Sequence, residues 1–234
     1  MHLVDGPSSA VCGSHSRRTG VGWLSDSPWP SRCPFLLADV AGLDRDVFYG
    51  IYAAIVLSLL IGWAHSTGYD LVAAVRRRWA WAVGLGLLSG AALALTVLRS
   101  EDATERPQGL TLAAAVFWRG IVYGATDGLL LSVFPILVVF AALAGSRLSQ
   151  RLRGKIVIGA AAFAASLLMT AVYHAGYSDF RSAKLRKPVL GNVVWSAPTL
   201  VTLNPIGAPI AHISLHVSAV LHSYDTETFL PPHK

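Results

Sequence analysis

The segment from Gly109 to Gly145 limits most strongly what this chain can fold into. Its 37 residues are apolar apart from two charged side chains, Arg119 and Asp127, and a few small polar residues. Ionisable groups at membrane depth are costly unless they are paired or face a protected cavity. The segment therefore predicts a membrane helix in which Arg119 and Asp127 either belong to a functional site or neutralise each other as a buried ion pair.

Residue spacing adds detail to this segment. Positions four residues apart lie on one face of a helix, and two such sets run side by side here: Arg119, Tyr123 and Asp127, and beside them Gly120, Gly124 and Gly128. Glycine at every fourth position lets a second helix approach closely in lipid. The polar set should therefore lie against protein, although three glycines so close together could also unwind the helix.

Composition supports a membrane protein. Charged residues make up 14% of the chain and apolar residues 53%, with a mean hydropathy of +0.52, whereas a soluble domain carries about 25% charged residues. A membrane helix needs about 20 apolar residues. We predict an all-α bundle of about six spans, formed by these segments: Val47–His65, Trp79–Leu98, Gly109–Gly145, Ile156–Tyr173, and two short spans within Pro188–Tyr224 joined by a turn at Asn204.

The third span is too long for one straight crossing. At about 1.5 Å per residue its 37 residues reach roughly 55 Å, against a hydrocarbon core of about 30 Å. We therefore expect this segment to be kinked, tilted or broken.

The chain divides by composition into three parts. Residues 1–46 are rich in Gly, Pro and Ser and are expected to be a poorly ordered extension, residues 47–224 the membrane domain, and residues 225–234 a short polar tail. Cys12 and Cys33 lack the spacing of a zinc or redox motif and are interpreted as incidental, or as one disulfide if the extension is exported.

Basic residues in short loops indicate orientation. If the third segment crosses once, Arg76–Arg78 and residues 147–155 lie on the cytoplasmic side and residues 181–187 outside; a double crossing exchanges the last two. In both cases seven of these basic residues lie on the cytoplasmic side and four lie outside. We favour six spans with the N-terminus outside, in the plasma membrane.

The expected partners follow from the same charges. The net charge of +6 is spread over short loops, so nucleic acid is not an expected partner. The basic stretch 181–187 lies next to aromatic residues and could contact anionic lipid. The glycine faces could also bind a second membrane protein.

Four histidines lie in or beside the last three apolar runs. His212 and His216 are four residues apart, so both rings project from one helical face, as two metal ligands on a helix require. His174 closes the fourth span, and His222 lies off the shared face. Imidazole binds metals and exchanges protons near neutral pH, so His174, His212 and His216 form a candidate site for catalytic zinc. The alternative is that each ring forms a structural hydrogen bond.

Three short motifs carry a family resemblance: Trp118-Arg119-Gly120, Thr170-Ala-Val-Tyr-His174, and Pro209-Ile-Ala-His212-Ile-Ser-Leu-His216. In this order they resemble the CPBP family, the CAAX-protease and bacteriocin-processing intramembrane proteins. That family shows EExxxR before a glycine, then FxxxH, then HxxxN or HxxxD. The resemblance implies that Arg119, His174 and His212 occupy motif positions and face a cavity within the membrane.

The chain also departs from that pattern. Ala114 and Ala115 stand where the family has two glutamates, Thr170 replaces the phenylalanine, and His216 replaces Asn or Asp. Without the glutamates the base that activates water is missing. Asp127 would replace it if the helix broke at its glycines. The resemblance thus implies the family's architecture, and at most a metal- or water-dependent intramembrane hydrolase.

Two other classes of function remain open at this stage. A small transporter or proton-coupled carrier would use Arg119, Asp127 and the histidines as a relay or substrate site. A structural membrane subunit would use its glycine faces and basic loop to bind a partner or lipid. Metal in the purified protein would favour the enzyme.

Overall fold

The computed structural model describes residues 43–226 and 228–231. These residues form helices joined by turns and contain no strand, which confirms the all-α prediction. The helices are α1 (Arg45–Thr67), α2 (Leu71–Arg76), α3 (Trp79–Ser100), α4 (Gly109–Leu143), α5 (Leu152–Ala175), α6 (Arg186–Thr202) and α7 (Gly207–His222). Single 3₁₀ turns at Arg147–Gln150, Ser178–Phe180 and Ala183–Leu185 lie in the loops.

Within this described part of the chain, four helices are long and apolar enough to cross a membrane: α1, α3, α4 and α5. This fits a multi-pass membrane protein. Helices α6 and α7 have 17 and 16 residues, shorter than the roughly 20 that a span usually needs.

The predicted N-terminal extension lies largely outside the described residues. From Leu43 onward the chain is described, and α1 begins at Arg45. Asp44 caps this helix, because its side chain accepts a hydrogen bond from the Asp46 amide at 2.8 Å. Gly68, in the left-handed conformation, ends α1.

Helix α4 runs through the bundle without the break that its glycines suggested. It is continuous over 35 residues and contains two π-helical stretches, Val116–Val122 and Leu129–Val133, on either side of Tyr123–Gly128. Such stretches inside α-helices often occur at functional sites. Asp127 lies in the α-helical turn between the two stretches.

Pro135 in α4 is accommodated by a neighbouring helix. A proline cannot donate to the carbonyl four residues earlier, which here belongs to Leu131. The hydroxyl of Ser166 on α5 donates to that carbonyl at 2.7 Å. A side chain of another helix thus satisfies the backbone group that the proline leaves open, as membrane helices require.

The glycine face of α4 packs directly against α7. A Cβ atom added to Gly120 would lie 2.7 Å from Val217 Cγ2, and one added to Gly128 would lie 2.6 Å from the Cα of Pro209. At Gly124 the nearest atom would be the Cα of Ile213, at 2.9 Å. The predicted close approach of a second helix is confirmed, and that helix is the one that carries His212 and His216.

Loop contacts define the two ends of the bundle. At one end, the side chain of Asn204 in the α6–α7 turn donates to the carbonyl of Val75 at 2.7 Å. At the other end, His222 Nε2 lies 3.1 Å from the carbonyl oxygen of Glu101, and Lys187 Nζ lies 3.8 Å from a carboxylate oxygen of Glu101. We call this second end the Glu101 end. It holds the start of α6, the end of α7 and the end of α3.

Candidate functional site

A cavity of about 350 Å³ lies toward the Glu101 end of the bundle. Three helices contribute its carboxylate and imidazole side chains: Asp127 on α4, His174 on α5, and His212 and His216 on α7. These four side chains are buried, with exposed fractions of 7% or less. The structure therefore brings together four of the five residues that the sequence singled out.

Asp127 occupies the polar face of α4 opposite α7. Its Oδ1 accepts a hydrogen bond from the hydroxyl of Tyr52 on α1 at 2.8 Å. Its Oδ2 lies 3.5 Å from Nε2 of His216, which is longer than an N–H···O hydrogen bond. One oxygen is therefore fixed by a donor, while the other faces an imidazole that it does not firmly bind.

His212 and His216 are adjacent on the buried face of α7. Their rings are 5.9 Å apart and nearly parallel, at 21°. Trp195 of α6 packs on His212 with ring centroids 4.3 Å apart, and Tyr123 packs edge-on to His216 at 4.8 Å. Both ring nitrogens of each histidine lack a hydrogen-bond partner among the described residues. The aromatic contacts thus hold the rings in place and leave their nitrogens available.

His174 differs from this pair because one of its nitrogens is already bound. Its Nδ1 lies 2.8 Å from the backbone carbonyl of Thr170. A carbonyl can only accept, so Nδ1 carries the proton and Nε2 carries the lone pair. This local hydrogen bond sets the tautomer of His174 and leaves Nε2 as its basic atom.

The group that could hold a metal differs from the predicted one. Ligand atoms of Asp127, His212 and His216 all lie within 4.8 Å of one another, and all three residues are buried. His174 lines the same cavity but is not in this group. The predicted set His174, His212 and His216 shares two residues with this group, and it stays a prediction.

Helix α4 does not break at its glycines, although such a break was the predicted condition for Asp127 to replace the missing glutamates. In the continuous helix, the glycine face instead brings α7 close enough that Asp127 and His216 meet. Gly128, next to Asp127, allows the closest of these approaches.

Arg119 lies apart from this cavity, and the predicted Arg119–Asp127 pair does not form. Its guanidinium binds both carboxylate oxygens of Asp46, at 2.8 and 2.7 Å, and also donates to the hydroxyl of Tyr224 at 2.8 Å. The two charges on α4 are two turns apart, and each has its own partner. Arg119 therefore fastens α4 to the first turn of α1 and to the segment after α7.

Sequence reasoning missed Tyr52. It lies in the first apolar run, where an aromatic residue is ordinarily read as packing. The ring of Phe48 stacks on the ring of Tyr52, with centroids 5.7 Å apart. The hydroxyl of Tyr52 donates a hydrogen bond to Asp127. A tyrosine within a membrane span needs a partner for its hydroxyl, and this was the one available signal.

His222 lies outside the cavity at the Glu101 end, in agreement with its predicted position off the His212 face.

Comparisons of the chain with protein-family models, with curated proteins and with solved structures found no match. The resemblance carried by the three short motifs therefore stays a prediction.

Proposed function

We propose that this chain is an intramembrane hydrolase whose cavity holds one divalent transition-metal ion on Asp127, His212 and His216. One observation carries the proposal: four buried imidazole nitrogens lack hydrogen-bond partners among the described residues, beside a buried carboxylate. Structural histidines bind backbone or side-chain groups, and a buried polar atom without a partner costs about 1–3 kcal/mol. A bound metal satisfies one nitrogen of each ring.

The donor set suits zinc. Two imidazoles and one carboxylate, with a fourth position left for water or substrate, are ligands typical of a catalytic zinc site. Such ligands lie about 2.0–2.2 Å from the ion, so the widest separation in the group, 4.8 Å, must shorten on binding. Tyr52, bound to Asp127 Oδ1, would orient the carboxylate as outer partners of metal ligands do.

The reaction class follows from the residues around this group. A metal held by Asp127, His212 and His216 would supply a Lewis acid that makes water nucleophilic near neutral pH, without the glutamates that the family motif contains. Nε2 of His174 is the basic atom that accepts a proton from the attacking water. Water oxygen bonds to the acyl carbon, the bond to the leaving group breaks, and the same proton passes from His174 to that group.

Two further features support the CPBP-like architecture as part of this proposal. Helices α6 and α7 extend between the same two ends of the bundle as α3, since their turn contacts Val75 and their far ends contact Glu101. We infer six crossings, the last two short, in a plasma-membrane protein. His174 and His212 occupy the family's motif positions, and Asp127 provides a carboxylate on the helix where the family carries its glutamates.

Metal content tests the proposal. We expect wild-type protein, purified without chelators, to retain about one zinc ion per chain, and Asp127→Asn, His212→Ala and His216→Ala to lose it. His222→Ala is the matched control, because His222 is on the same helix but outside the cavity. Hydrolysis of fluorogenic acyl esters and peptides in nanodiscs should be chelator-sensitive and should be lost in the same three variants. Folded wild-type protein that retains no zinc and takes none up would overturn the proposal.

A proton-coupled carrier is the second candidate. Asp127 and His216, 3.5 Å apart at membrane depth, are residue types found in proton relays. A carrier would dissipate a pH gradient across liposomes in the presence of its cargo without a tightly bound metal. The metal-dependent hydrolase would retain zinc and leave the gradient intact.

A further inference from the structure

Exposed residues of α3 and α6 line one side of the cavity, and we call this side the opening between α3 and α6. Thr96 and Ser100, in the last turns of α3, line the cavity and are exposed. Leu190, in the first turns of α6, also lines it and is 69% exposed. The exposed residues beside this lining are apolar: Leu95 on α3 is 48% exposed and Val193 on α6 is 49% exposed. These are faces that contact acyl chains in a membrane helix.

The end of the cavity that faces the loops is covered. Phe229 and Pro231, from the segment after α7, form part of its wall. This segment is fixed by a hydrogen bond from the Tyr49 hydroxyl to the carbonyl of Pro231 at 3.0 Å and by one from Thr226 to the Glu101 carboxylate at 2.9 Å. Leu230 is fully buried. The opening between α3 and α6 therefore lies away from the part of the cavity wall that this segment covers.

The opening is amphipathic. Its walls are apolar where they approach the buried ionisable groups, with Leu93, Val194 and Leu215 among the lining residues. At its rim stands Lys187, whose side chain is 54% exposed and 3.8 Å from Glu101. A lysine at head-group level keeps its stem along apolar surface and attracts anionic groups.

We propose that the substrate is a membrane amphiphile with one apolar chain and an anionic head group, which enters between α3 and α6 with its head group at Lys187. This inference rests on the proposed function. The volume of about 350 Å³ is near the lower end of small-molecule sites, about 300–1,000 Å³. It suits a chain segment with its head group and excludes a folded domain. The basic stretch 181–187, predicted to contact anionic lipid, includes Lys187 and runs into the first turn of α6 at this same end.

Photo-cross-linking tests this route. The protein in nanodiscs is exposed to a diazirine-bearing fatty acid, and cross-linked peptides are mapped by mass spectrometry. We expect cross-links to cavity-lining positions of α6 and α7, removed by an excess of unlabelled fatty acid. The double variant Thr96→Trp and Leu190→Trp should lose most of them, because two large rings fill the opening. Leu168→Trp is the control, since Leu168 is exposed on α5 and outside the cavity.

A second arm tests the head group. Lys187→Glu should weaken cross-linking by the fatty acid and leave cross-linking by the matched fatty alcohol unchanged. Cross-links spread evenly over exposed helix faces, insensitive to both tryptophans, would overturn the proposal. Metal content is measured on the same samples. Retained zinc without cavity cross-links rejects the substrate inference alone, whereas cavity cross-links without zinc reject the metal-dependent function.

Discussion

Asp127 depends on a single hydroxyl for its orientation. Tyr52 donates to Oδ1 at 2.8 Å, so Oδ2 is left toward His216. We predict that Tyr52→Phe keeps the fold but lowers zinc affinity by about 10–100-fold, the usual effect of removing an outer partner of a metal ligand. Competition with a chelator of known affinity measures the change.

Tyr69→Phe is the control for this substitution, because Tyr69 packs on Trp63 away from the cavity. Equal zinc affinity in wild type and Tyr52→Phe would show that the tyrosine does not orient the carboxylate.

The partner of Arg119 is Asp46, and this can be tested by a double-mutant cycle. Both side chains are partly exposed, at 17% and 45%, so we expect a coupling of about 0.5–1 kcal/mol between Arg119→Ala and Asp46→Ala. Thermal unfolding in detergent provides the measurement. Arg119→Ala and Asp127→Ala, by contrast, should have additive effects. Coupling between these last two would contradict the pairing described above.

At the scale of helices, close packing of α4 and α7 assembles the site. Gly128→Ala would place a methyl group against the Cα of Pro209, at 2.6 Å. Overpacking of this kind costs about 1–3 kcal/mol, so we predict a lower unfolding midpoint and weaker zinc retention.

Gly159→Ala provides the comparison for Gly128. This glycine is also within a membrane helix, but a methyl group there meets nothing within 4 Å. It should be neutral or stabilising, because alanine is the better helix former by about 1 kcal/mol. Equal stability of both variants would argue against close contact between α4 and α7.

Ser166 and Pro135 form a second test at this scale. Ser166→Ala removes the donor to the Leu131 carbonyl, which should cost about 1–3 kcal/mol. Pro135→Ala restores a backbone N–H in reach of that carbonyl. We predict that the double variant is more stable than Ser166→Ala alone, by thermal unfolding. No rescue would mean that Ser166 acts through its contacts with Asn192 and Ser196 alone.

Sequence patterns predicted the helices better than their partners. Apolar runs and turn residues indicated the helices, and steps of four predicted the shared face of His212 and His216. The partner of Arg119 escaped prediction, because Asp46 is 73 residues away and lay in the region assigned to the extension. The two π-helical stretches also escaped, since they depend on tertiary packing and not on local composition.

At the scale of the whole molecule, loop contacts define which ends lie together. We predict that single cysteines at Arg77 and Ile206, in a background without Cys12 and Cys33, are labelled from one side of sealed vesicles, and cysteines at Asp102 and Ser182 from the other. The distribution of basic residues over the loops predicts that the first side is cytoplasmic. Labelling of Ile206 and Ser182 from the same side would show that α6 does not cross, and would reduce the six spans to four.

The central claim is that Asp127, His212 and His216 bind one metal ion together. Zinc X-ray absorption on the purified protein tests it most directly, because it reports the number and type of ligand atoms. For the wild type we expect low-Z ligands at about 2.0–2.1 Å with scattering from two imidazoles, and for His216→Ala purified in the same way no zinc signal. A spectrum without imidazole scattering, or one that is the same in wild type and His216→Ala, would contradict it.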